Sequence, residues 1–255
     1  MNAWITALPA TIRNKPFLFF SALLGIVASV AIRNSSLATL IVALVWGITF
    51  YLVVSFFFAW ARKSGAGQFM ADYTTRDIVV MAALIAVGGV AKAYWGQARL
   101  LLESMFGPYA VFVIGPGFYM WGVLACILVR KPLSGTISMV LGGVVEILAG
   151  NPFGLPVLLF NFWEGFGPDL AYQGVFRGKR YDWLPGIVGG WFSAIFGLWY
   201  GWVYFGFSQL PLWAFIIYLL EVFVAGILGG IAGYLLAKGL EAIGVKQPAP
   251  AVIES

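Results

Sequence analysis

Histidine is absent, cysteine occurs once, and charged residues make up 10% of the 255 positions. The missing histidine removes the commonest general base and the commonest metal ligand. The lone Cys126 sits inside an apolar run, so there is no disulfide framework and no cysteine metal site, and it reads as a small buried hydrophobe. No Gly-x-x-x-x-Gly-Lys-Ser/Thr phosphate loop is present, so the chain does not itself hydrolyse ATP. The shortage of charge excludes a water-soluble surface, because soluble domains carry about a quarter charged residues. The net charge of +5 does not mark a nucleic-acid footprint, since the basic residues fall in ones and twos between apolar runs.

What the chain has in abundance is apolar length: 62% of residues are hydrophobic and the mean hydropathy is +0.93. A helix needs about 17 to 25 apolar residues to cross the hydrocarbon core of a bilayer. Eight runs meet that requirement, at 16–32, 37–60, 77–95, 108–129, 133–150, 154–176, 183–205 and 212–237. If the chain starts in the cytoplasm, twelve of its fifteen Lys and Arg residues fall inside and only Arg33, Lys92 and Arg99 fall outside or near the outer interface. That asymmetry supports both the span count and the orientation, because a missed span would invert every later loop. The expectation is an all-α integral protein of the cell membrane with about eight transmembrane helices and both termini cytoplasmic. The first span could instead be a signal peptide ending at Ser29-Val30-Ala31, which would leave the later orientation unchanged.

The organisation reads as an N-terminal transmembrane hairpin (1–62), a polar cytoplasmic connector (63–76), a six-helix membrane module (77–240) and a cytoplasmic tail (241–255). No internal repeat of the kind that builds secondary transporters is visible. Small residues recur at four-residue spacing, as Gly186/Gly190, Gly226/Gly230 and Gly229/Gly233, and read first as close helix packing within the chain.

Four of the ten acidic residues, Glu146, Glu164, Asp169 and Glu221, lie within spans. Left facing lipid, each would cost about 2.5–3.5 kcal/mol or more at mid-bilayer, so they face protein, water or a ligand. Glu146, Glu164 and Glu221 fall in the outer half of their spans. The motif Gly115-Pro116-Gly117 falls at similar depth, where proline and its flanking glycines are expected to interrupt the helix. The loop Gly150-Asn151-Pro152-Phe153-Gly154 opens to that side, and Trp95, Phe118, Tyr119, Trp163, Trp199, Tyr200, Trp202, Tyr204 and Tyr218 gather there. Carboxylates among aromatic rings suit a flat, nitrogen-rich, cationic ligand. Helical spacing puts Phe160, Glu164 and Gly167 on one face and Tyr218 beside Glu221. Lys92 is the only cation near enough to pair with these acids, and one lysine cannot neutralise three. The candidate ligand contacts are therefore Trp95, Phe118, Tyr119, Glu146, Asn151, Phe160, Trp163, Glu164, Tyr218 and Glu221.

Thr75-Arg76-Asp77-Ile78-Val79, Tyr94-Trp95-Gly96, Gly117-Phe118-Tyr119, Arg130-Lys131-Pro132, Glu146, Gly150-Asn151-Pro152-Phe153-Gly154 and Glu164-Gly165-Phe166-Gly167-Pro168-Asp169 follow one another along the chain. In their order and spacing the chain, from about 74 to 205, resembles the YkoE family of substrate-binding S components of energy-coupling factor (ECF) vitamin transporters. The chain departs from the family pattern in having Glu164-Gly165 and Asp169 where a Gln-Gly and a later glutamate are expected, and in placing a glycine at Gly135. The resemblance implies a six-helix bundle that captures thiamine or its hydroxymethylpyrimidine precursor at the outer face. It also implies partners, namely a transmembrane coupling protein and two ATPase subunits, and a docking stripe of small residues on the first helix of the module, which Ala82 and Ala86 match. No cofactor is implied. Three classes compete: a vitamin-binding S component, a self-sufficient proton-coupled permease for an aromatic cation, and an intramembrane enzyme. The absence of histidine and of paired catalytic motifs argues against the last.

Overall fold

The computed structural model describes residues 73–204 and 210–245. The expected hairpin at 1–62, most of the connector and most of the tail lie outside the described residues, as do the side chains of Trp199, Tyr200, Trp202 and Tyr204. Six helices follow in order: α1 (Thr75–Phe106), α2 (Val111–Val129), α3 (Ser134–Leu148), α4 (Val157–Asp169), α5 (Trp183–Tyr204) and α6 (Leu212–Ala242). They coincide with the six spans read over 77–237, and no strand occurs among the described residues. The chain divides into two compact units, Met1–Phe69 with Trp199–Ile216, and Met70–Leu198 with Ile217–Ser255. The site described below lies in the second.

Each helix begins and ends for a local reason. At the start of α1, Thr74 and Asp77 form a reciprocal capping box: the Asp77 amide donates to Thr74 Oγ1 at 3.2 Å and the Thr74 amide donates to Asp77 Oδ2 at 3.0 Å. The helix stops at Gly107, whose φ of +60° suits a residue without a β-carbon, and a turn over Gly107–Ala110 leads into α2. Arg130 closes α2 in the left-handed region (φ +56°), its amide donating to the Cys126 carbonyl at 3.0 Å. Beyond Asp169, α4 widens into a π turn over Leu170–Val175.

Packing in this unit is close and largely backbone on backbone. Helix α3 lies against α1 and α4, and α2 against all three. In α5 and α6, Gly186 and Gly190 face Gly226 and Gly230: a β-carbon on Gly226 would sit 2.7 Å from the Gly190 carbonyl oxygen, and one on Gly190 would sit 2.6 Å from the Gly230 nitrogen. The small-residue pairs read from the sequence therefore meet inside the chain. Outward faces are apolar, as at Val79 and Val87 on α1 and Leu220 and Leu235 on α6, all exposed. The stretch Thr75–Val129 and helix α6 are long and apolar enough to cross a membrane, with Ser134–Leu148 and Trp183–Leu198 as shorter apolar helices. A buried glycine-lined interior under an apolar exterior is the arrangement of a membrane protein.

Candidate functional site

The interior holds a cluster of charge drawn from four segments. Lys92 of α1, 2% exposed, forms an ion pair with Glu164 of α4, donates to Asn161 Oδ1 at 2.8 Å, and lies 3.7 Å from Glu146 Oε2 on α3. Asn161 in turn donates to Glu146 Oε2 at 2.9 Å, and Asn151 of the α3–α4 loop donates to Glu146 Oε1. One ammonium faces two carboxylates, so the ionised cluster carries one net negative charge. Removing such groups from water is expensive, and the hydrogen bonds from the two asparagines offset part of it.

The sequence builds this cluster by withholding side chains. A β-carbon on Gly143 of α3 would come 2.9 Å from Asn161 Nδ2, and one on Gly96 of α1 would come 2.9 Å from Asn151 Nδ2, so each glycine is the seat of an asparagine. Asn151 also accepts from the Phe153 amide at 2.7 Å, and Gln97 donates to the Gly150 carbonyl at 3.1 Å, which ties the loop down on α1.

Aromatic rings surround the cluster unevenly. Phe118 is buried, with Lys92 Nζ 5.5 Å from its ring centroid. Trp95, one turn beyond Lys92, is 40% exposed and donates through Nε1 to the Ile114 carbonyl at 2.7 Å. Tyr119, half-buried, lies against Gly115 and Gly229. Trp163 is 1% exposed and packs edge-on against Phe162 and Phe196, with ring centroids 5.0 and 6.0 Å away. Phe160 is half-buried and Tyr218 is buried. Glu221 stands apart: no ion pair or hydrogen bond among the described residues joins it to Lys92, and its Oε2 is buried without a hydrogen-bond partner there.

Two expectations need correction. Gly115-Pro116-Gly117 does not interrupt α2, which runs unbroken through Pro116. The bare surface of Gly117 instead receives the Trp95 indole, whose Cζ2 would lie 2.7 Å from a β-carbon there. The helix tolerates the proline because only one amide, the one that would reach the Phe112 carbonyl, is lost. The face shared by Phe160, Glu164 and Gly167 is also not a single ligand face: Glu164 points to Lys92, while Gly167 packs on the backbone of Ser193 in α5. Asn161 and Lys92 are the cluster members missing from the expected contacts. Asn161 had a readable signal, an amide three residues from Glu164 in an otherwise apolar run.

Asp169 has a separate, structural role. Its carboxylate accepts from the amides of Gly135 (3.2 Å) and Thr136 (2.7 Å), from Thr136 Oγ1 (2.7 Å) and from Cys126 Sγ (3.3 Å), so it caps the start of α3 from another helix. Nearby, Pro168 cannot donate to the Glu164 carbonyl four residues earlier, and Ser193 Oγ supplies that bond at 2.9 Å. Both devices hold the Glu164 turn of α4 in place.

A membrane-embedded helical bundle with a closed polar centre is the class this geometry defines, and solved structures give it a fold. The protein described as an S-component of ECF transporter superposes with a TM-score of 0.64 and 24% identity, covering 68% of this chain and 88% of that one. In sequence the chain is similar to the putative HMP/thiamine permease protein YkoE of Bacillus subtilis (strain 168), 25% identical over 177 residues, 69% of this chain and 88% of that protein. Residues 76–196 match the family model of the ABC-type cobalt transport system, permease component. The resemblance drawn from the sequence holds: the chain is similar to YkoE and has the fold of an S component.

Proposed function

We propose that the protein is the membrane-embedded substrate-binding component of an ECF-type importer and that it takes thiamine or the hydroxymethylpyrimidine precursor. The supporting observation is the sharing of one ammonium, Lys92, between two buried carboxyls, Glu146 and Glu164, closed over by the Asn151 loop and bordered by Phe118. A cationic aromatic ligand supplies the missing positive charge and stacks on the rings. Under this reading Glu164 and Glu146 take the charged or amino group of the ligand, and Trp95, Phe118, Tyr119 and Asn151 surround its ring. Glu221 with Tyr218 makes a secondary contact, and Phe160 and Trp163 support the site from behind. The twelve-to-three distribution of Lys and Arg orients the loop of Asn151 outward, so capture is from the outer face. Transport then depends on a transmembrane coupling protein and two ATPases, since the chain has no phosphate loop of its own.

Calorimetric titration of thiamine and hydroxymethylpyrimidine into the purified protein tests the reading. Charge-assisted hydrogen bonds contribute about 1.5–3 kcal/mol, so Glu164→Gln and Glu146→Gln should weaken binding roughly tenfold to a hundredfold. If monodisperse glutamine variants bind like wild type, the acids are not the ligand site. Uptake that persists without the ATPases would identify the protein as a self-sufficient permease.

A further inference from the structure

Beside the charged cluster lies a hydroxyl with no partner. Ser138 of α3 is 5% exposed, and its Oγ makes no hydrogen bond among the described residues. Buried hydroxyls are ordinarily paired, so an orphan one marks a place where something else binds. Ser138 lines a small cavity with Gly88, Gly89 and Lys92 of α1, Trp121 of α2 and Asn161 of α4. The space is about 10 Å³, room for one water-sized group, which is also the size of an ammonium head. The Trp121 ring forms one wall, with Cε3 3.1 Å from where a β-carbon on Gly88 would lie. A cavity with an orphan acceptor and an indole wall suits a cation.

Lys92 already borders this cavity, and its ammonium sits on a flexible four-carbon stem. Gly88, one turn earlier on α1, leaves the space unfilled. We propose that Lys92 is a tethered counter-cation: it holds Glu164 and Glu146 in the empty protein and withdraws to Ser138 when a cationic group of the ligand takes its place. This rests on the reading of those carboxylates as the ligand site. The displacement solves a problem of charge. If Lys92 stayed on Glu164, an incoming cation would meet a carboxylate already engaged and an ammonium repelling it. With Lys92 drawn aside, the carboxylates exchange one cation for another without passing through an unpaired buried state. A cationic ring gains more from displacing Lys92 than a neutral one, so the lysine also ranks ligands by charge.

Two substitutions should act in opposite directions. Lys92→Met removes the competitor while keeping the stem, and should tighten thiamine binding at least tenfold. Ser138→Val closes the refuge and should weaken it at least tenfold with melting temperature little changed. A ligand-independent arm uses Lys92→Ala, whose lowered melting temperature should be restored by ethylammonium chloride and not by sodium chloride at equal ionic strength. A folded Lys92→Met that binds thiamine no tighter than wild type overturns the proposal, as does a failure of ethylammonium to stabilise Lys92→Ala. If wild type does not bind thiamine while ethylammonium does stabilise Lys92→Ala, the exchange of cations stands and the choice of vitamin is what fails.

Discussion

Replacing Gly117 with alanine puts a methyl group where the Trp95 indole lies. The new carbon would be 2.7 Å from Cζ2 and nearer still to Nε1, whereas ordinary contact begins at 3.4 Å, so the ring must retreat by at least 0.7 Å at Cζ2. Nε1 lies nearer to the new carbon and must retreat further still, which breaks its 2.7 Å bond to the Ile114 carbonyl. Losing that bond costs about 0.5–1.5 kcal/mol and overpacking about 1–3 kcal/mol. Replacing glycine by alanine in a helix returns about 1 kcal/mol, which leaves a net loss of about 0.5–3.5 kcal/mol. Trp95→Phe, which loses the bond without a clash, should cost about 0.5–1.5 kcal/mol. Thermal melting of the purified protein in detergent measures both, and thiamine titration reports whether the displaced ring served the ligand. A Gly117→Ala variant that melts at or above wild type and binds thiamine equally would refute the seating of Trp95 on α2.

Asp169→Asn should destabilise the fold by about 1.5–3 kcal/mol, because an amide cannot accept the four bonds the carboxylate receives; equal melting would show that the cap is dispensable. Ala82 and Ala86 are exposed on α1, and replacing either with tryptophan should abolish uptake in cells while leaving thiamine binding by the isolated protein intact; joint loss would make the pair internal packing. In a Cys126→Ser background, single cysteines at Ser35 and Ser208 should react with an impermeant thiol reagent in intact cells and those at Ser64 and Gly178 should not; labelling at 178 inverts the topology. The Tyr73 hydroxyl donates to the Pro132 carbonyl at 2.6 Å, and burial pushes its pKa up. The stability it contributes is therefore complete below the ordinary tyrosine value near 10 and lost as pH rises beyond it. Alkaline melting should accordingly be shallower in Tyr73→Phe, and identical curves would refute the assignment.

Helix positions were legible because apolar length and charge asymmetry are properties of the chain itself. The six spans between 77 and 237 appear as six helices, although α1 starts at Thr75, ahead of the apolar run, where the capping box of Thr74 and Asp77 sets its end. The acids were legible as groups that must be buried, yet which partner each would find was not. Lys92 bridges Glu164 and Glu146 from helices 72 and 54 residues away in sequence, a pairing that depends on how α1, α3 and α4 cross. Asp169 looked like the other three acids and turned out to cap a helix, because its partners are backbone amides that composition does not display. Pro116 misled for a related reason: a proline announces a missing donor, while α2 runs through it with the Trp95 indole of another helix seated on the neighbouring Gly117. Glycines at 96, 117 and 143 carried information about what lies opposite them, readable only once the opposite residue was known.

The glycine crossing of α5 and α6 has a mechanical consequence. Side chains between two helices act as bearings, since rotamer changes let one helix roll or slide on the other. At Gly186, Gly190, Gly226 and Gly230 there is no bearing, because backbone meets backbone and any roll drives carbonyl oxygens into α-carbons. The crossing segments of α5 and α6 move as one beam, and the freedom to admit a ligand falls to contacts that run through side chains. Under the proposed reading these include the Lys92 stem and the Asn151 loop, which are held by side-chain bonds and not by backbone contact.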